Sequence, residues 1–75
     1  MIDAFQIERL IQSKIPGARV KVADMTGTGD HFEIQVVSEE FKGRTLVEQH
    51  QLVLSALEKE MDRNIHAVKI KTGVL

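Results

Sequence analysis

Three histidines, His31, His50 and His66, are the side chains of this 75-residue chain best suited to chemistry near neutral pH. Neutral imidazole binds metal through either ring nitrogen, and the same ring accepts and releases protons. Cysteine is absent. The chain therefore makes no disulfide, thiolate metal site or redox thiol by itself. His66 lies at the start of an alternating stretch, Asn64–Thr72. Its ordinary role there is a partly buried ring with one satisfied hydrogen bond, and its chemical role is metal ligation. His50 falls in the apolar stripe of a helix, where a ring packs and bonds a nearby acid or carbonyl. His31 follows the glycine-rich Thr26–Gly29 and is out of phase with Phe32. That puts it on the face away from the core, as a second ligand only if His66 approaches it in space.

The remaining polar groups suggest no catalytic constellation, and the expectation is a non-enzyme. Ser38 and Ser55 lack the context of a nucleophile. Glu39, Glu40, Glu58, Glu60 and Asp62 read as solvated surface. The T-G-T-G loop matches no phosphate-binding fingerprint and joins two strands instead of opening a helix, so it reads as a hairpin turn.

Capping and periodicity set the elements. Asp3 with Gln6 forms a capping box, and Ala4, Ile7, Leu10, Ile11 and Ile15 then share one helical face. Pro16-Gly17 ends that helix. Arg19–Asp24 alternates as a half-buried strand, and Phe32, Ile34 and Val36 alternate with Glu33, Gln35 and Val37 in a second. The short loop between them predicts an antiparallel hairpin. Ser38–Arg44 is a polar connection around Phe41 and Gly43. Thr45–Glu48 is a second capping box, and Leu46, His50, Val53, Leu54, Leu57 and Met61 form the stripe of the helix it starts. The last strand, Asn64–Thr72, sets His66, Val68 and Ile70 against Lys69 and Lys71. The order is α-β-β-(turn or short helix)-α-β, an α+β two-layer sandwich with helices on one face of a three-stranded sheet.

Size and charge bound the function. A chain this short forms one domain, residues 1–75, with a small core and little room for a deep pocket. Its net charge is −1, from 10 basic and 11 acidic side chains. No strong overall field draws in nucleic acid or anionic membrane. The N-terminus M-I-D-A-F-Q-I-E-R-L is amphipathic and acidic, unlike a signal peptide, and no apolar run nears the roughly 18 residues of a membrane span. A cytoplasmic chain with no membrane contact is expected. The open sheet face nevertheless carries Arg19, Lys21, Lys69 and Lys71 against Glu33. It has no stacking ring, since all three phenylalanines are assigned to the core or a turn.

Ordered motifs then give a specific resemblance. His31-Phe32, Val37-Ser38, Phe41-Lys42-Gly43, His50 with Val53, and Ile65-His66-Ala67-Val68 occur in the order and spacing of the BolA family. The chain resembles that family over residues 1–72. The resemblance implies an α-β-β-α-α-β layout with a mixed sheet, similar to a class II KH fold. It also implies a non-enzymatic adaptor that partners a monothiol glutaredoxin and shares a bridging [2Fe-2S] cluster with it, in iron–sulfur trafficking or iron sensing. The glutaredoxin and glutathione would supply thiolates, and His66 would be a ligand from this chain. A mixed Cys and His ligand set is chemically sound, and a chain without thiolates binds no such cluster alone. Family members place a second ligand, Cys or His, between the first two strands. Thr26 and Thr28 stand there in this chain, and His31 is the nearest replacement. Many members also continue beyond the last strand, where this sequence reads K-T-G-V-L.

A second reading is a KH-like nucleic-acid-binding transcriptional regulator using Arg19, Lys21, Lys69 and Lys71. Against it, the region that carries G-x-x-G in class II KH domains reads F-K-G-R-T. A homodimer is compatible with either reading.

Overall fold

The computed structural model describes residues 2–27, 31–61, 63–65 and 67–75. Helix α1 spans Ala4–Lys14, strand β1 Arg19–Asp24 and strand β2 His31–Val37. A 3-10 turn follows at Glu39–Phe41, then helices α2, Leu46–Ala56, and α3, Glu58–Met61, and strand β3, Ala67–Gly73. The sheet order is β1-β2-β3. β1 pairs antiparallel with β2, and β3 pairs parallel with β2. This is the expected α+β fold with a mixed three-stranded sheet, and α1 packs over β1 while α2 packs over β3.

The caps explain where the helices start. The Asp3 carboxylate accepts the Gln6 amide at 2.8 Å, and the Gln6 side chain accepts the Asp3 amide at 2.9 Å. Two of the orphan amides of the first turn are thereby satisfied. α1 ends where the Ile15 amide still reaches the Ile11 carbonyl, at 2.8 Å. Pro16 cannot donate, and Gly17 takes φ +82°, a left-handed conformation that a side chain would strain. Ile7, Ile11 and Ile15 are fully buried, and they meet Phe32, Ile34 and Val36 of β2 in one core.

The Ser38–Arg44 connection is built from its motif. The Ser38 hydroxyl accepts the Glu40 amide at 3.0 Å, and the Ser38 amide donates to the Gly73 carbonyl at 3.0 Å. Phe41 drops into the core, and Gly43 turns the chain at φ +81°. Thr45 then caps α2 with Glu48: the Thr45 amide donates to the Glu48 carboxylate at 2.8 Å, and the Glu48 amide donates to the Thr45 hydroxyl at 3.2 Å.

Several local expectations are corrected. The buried face of α2 runs through Gln49 and Val53 to Leu57, whereas Leu46 is 61% and Leu54 37% exposed. The cause is a polar residue that belongs inside. Gln49 donates from Nε2 to the carbonyls of Arg44, at 3.1 Å, and Phe41, at 3.4 Å. Its Oε1 accepts the Thr72 hydroxyl at 2.6 Å. Gln49 thus ties α2 to the turn before it and to β3. Second, the helix breaks at Leu57, where ψ is 5° and the amide returns to the Leu54 carbonyl. The short α3 thus follows α2, as the implied α-β-β-α-α-β layout has it, and the turn or short helix expected between β2 and α2 is the 3-10 turn. Asn64 and Ile65 do not belong to β3, because their amides are still turned back onto the Glu60 carbonyl. Third, Phe5 is 63% exposed, with the Arg9 guanidinium 5.6 Å from its ring centroid, instead of lying in the core.

Two expectations follow. Gln49→Leu takes their partner from the Thr72 hydroxyl and the Arg44 carbonyl, while the Phe41 carbonyl keeps the Arg44 amide, and it should cost about 1–3 kcal/mol of stability in urea denaturation. Thr72→Val should lose most of its own effect in that background, in a double-mutant cycle. Glu48 sets a pH dependence. Hydrogen bonds from the Thr45 backbone and side chain, and more weakly the charge of Arg44, hold its carboxyl below the usual carboxylate range. A lowered folded-state pKa stabilises above the unfolded value, and that contribution disappears as pH falls through the folded value. Glu48→Gln should therefore flatten the loss of stability below about pH 4, measured as urea midpoints across pH.

Candidate functional site

Alternation along β2 decides which side chains can meet a partner. Phe32, Ile34 and Val36 are buried, while His31, Glu33, Gln35 and Val37 take the other face and are half-buried or exposed. His31 is the first residue of β2. Its Cα partner on β3 is Ala67, and its carbonyl accepts the Met25 amide at 2.8 Å from the β1 side. His31 therefore stands at the end of the sheet on the face the helices leave open.

His66 lies outside the described residues, as do Thr28 and Asp30. Its chain neighbour Ala67 is the residue paired with His31. His50 is half-buried on α2. In the loop after β1, the Asp24 carboxylate accepts the amides of Thr26, at 3.3 Å, and Gly27, at 3.0 Å. Those amides are occupied by an acid of the chain itself, which agrees with a hairpin turn and not with a phosphate cradle. Among the described residues, no group of three or more His, Cys, Asp or Glu side chains is placed to hold a metal ion.

The four bases fall on the open face, as alternation implies. The register forms rows: Arg19 beside Val37; Lys21, Gln35 and Lys71 in line; Ala23, Glu33 and Lys69 in line. Arg19, Lys21, Lys69 and Lys71 are all exposed. No helix among the described residues is long and apolar enough to cross a membrane.

Residues 3–74 match the family model of the BolA-like proteins. This chain belongs to the BolA-like family. It is 43% identical over 72 residues to Protein BOLA2 of Arabidopsis thaliana, covering 95% of this chain and 76% of that protein. Its fold is similar to that of a bolA protein homologue from Coxiella burnetii, with 32% identity and a TM-score of 0.84, over 99% of this chain and 92% of that one. It is also similar to yeast Fra2, with 30% identity and a TM-score of 0.77, over 95% and 77% of the two chains. BolA-like proteins are non-catalytic adaptors, and membership supports a general adaptor role in iron–sulfur and iron homeostasis.

Gln49 is the residue that sequence reasoning missed. It touches no ligand, but it anchors Thr72, and so β3, to α2. The available signal was the spacing: Gln49 lies four residues before Val53 and eight before Leu57, two residues already in the expected stripe.

Proposed function

We propose that this chain is an adaptor that shares a bridging [2Fe-2S] cluster with a monothiol glutaredoxin and glutathione. The cluster is cargo in transit or a sensed signal. His66 is the ligand this chain contributes, and His31 is the second. The observation that supports this reading is the pairing of His31 with Ala67, which brings the chain neighbour of His66 level with His31 across two hydrogen-bonded strands.

The donor chemistry fits half of a shared site. Two imidazoles and no thiolate hold no such cluster alone, and they complement a partner that owns the thiolates. A cytoplasmic location suits the role, because thiols stay reduced there. Residues 1–75 act as one domain in this reading.

The test mixes the purified chain with a reconstituted monothiol glutaredoxin and glutathione and follows visible absorption and circular dichroism. Even an outer-shell partner of a ligating histidine is worth about 10–100-fold in metal affinity, so His66→Ala should weaken the hybrid cluster by no less. His31→Ala should change the spectrum and shorten the cluster's lifetime. Far-UV dichroism verifies that both variants fold. A folded His66→Ala chain that gives the wild-type spectrum and cluster stability would refute the ligand assignment.

A further inference from the structure

Charge on this molecule is sorted by face. Among the described strand residues, the open face holds four bases, Arg19, Lys21, Lys69 and Lys71, and one acid, Glu33. Glu33 is the cross-strand partner of Lys69. Lys21 and Lys71 both flank Gln35, and Arg19 flanks Val37. A chain with a net charge of −1 thus presents a distinctly cationic surface.

That surface is continuous with His31. Counting about 3.3 Å per residue along the strand, the Glu33–Lys69 row lies about 7 Å from His31 and the Lys21–Gln35–Lys71 row about 13 Å. A specific protein partner covers roughly 800 Å² on each side, a patch about 30 Å across. A protein seated over His31 therefore reaches both rows. Burying those ammonium groups without opposite charge is costly, so a partner that docks stably presents carboxylates to them.

We propose that the open sheet face is the docking surface for the thiolate-bearing partner, and that it selects a partner with an acidic rim around its cluster-binding end. This rests on the adaptor reading above. Lys21, Lys69 and Lys71 steer and orient that partner, while the histidines hold the cargo. Nucleic acid suits the face less well. Of the three phenylalanines, Phe32 and Phe41 are buried and Phe5 stands on α1, so among the described residues the lysine rows offer no ring for a base to stack on, and His31 stands only at the end of the face.

The experiment measures association of the full chain with an apo monothiol glutaredoxin, without cluster, at low and high salt. Lys21→Glu/Lys71→Glu is compared with Lys14→Glu/Lys42→Glu, a pair of equal net charge off this face. The first pair should weaken association by about tenfold at low salt, mainly through a slower on-rate, and the gap should close as salt screens the charges. The hybrid cluster, once formed at high protein concentration, should keep its wild-type spectrum in that variant. Equal effects of the two pairs overturn the docking surface and leave the ligand assignment standing. A wild-type chain that binds no glutaredoxin, with or without cluster, overturns both. A short nucleic-acid duplex that binds wild type more tightly than the glutaredoxin at equal salt assigns the face to nucleic acid and overturns the proposal.

Discussion

Parallel pairing of β3 with β2 is the constraint on which the rest of the structure depends. Two parallel neighbours cannot be joined by a tight turn, so the chain between Val37 and Ala67 must recross the sheet. α2 and α3 make that return, and their apolar side has to cover the sheet on the way. The contacts that fix the return are few and specific. Phe41 plugs the core, Val53 and Leu57 close over it, and Gln49 holds Arg44 at one end and Thr72 at the other. The polar strut fits inside because both ends of its amide are satisfied, which removes the penalty of burying it.

The same sheet divides labour between its faces. Even-numbered residues of β2 build the core with the isoleucines of α1, and odd-numbered ones face outward. A half-covered sheet is unusual for wholly parallel pairing and ordinary once an antiparallel strand is present. Leaving one face bare costs little here because its side chains are mainly Lys, Arg, Gln and Glu. That face, with His31 at its end, stays uncovered by the helices. A small core leaves scant volume for an internal pocket, so an adaptor of this size works through its surface.

Local reading succeeded where the cause is local. Both capping boxes, the Pro16-Gly17 stop and the limits of β1 depend on residues within four positions of one another, and each formed as expected. It failed where a distant group decides. Leu46, Val47 and Leu54 make α2 apolar on more than one side, so periodicity found Val53 and Leu57 of the buried face but added Leu46 and Leu54 to it and left out Gln49. Gln49 turns inward because Thr72, 23 residues away, waits for it. The start of β3 shifted for a similar reason, since hydrogen bonds onto Glu60 hold Asn64 and Ile65 in a turn until the chain reaches β2.

The sequence by itself determined the family, the element types and the two-sided pattern of the strands, because motif order, caps and alternation are properties of neighbouring residues. Only the tertiary structure decided which histidine neighbours which strand and how the bases line up. Those follow from strand register, and register is set by side chains far apart in the chain meeting in one core. That meeting pairs His31 with Ala67 and aligns Lys21 with Lys71 across Gln35.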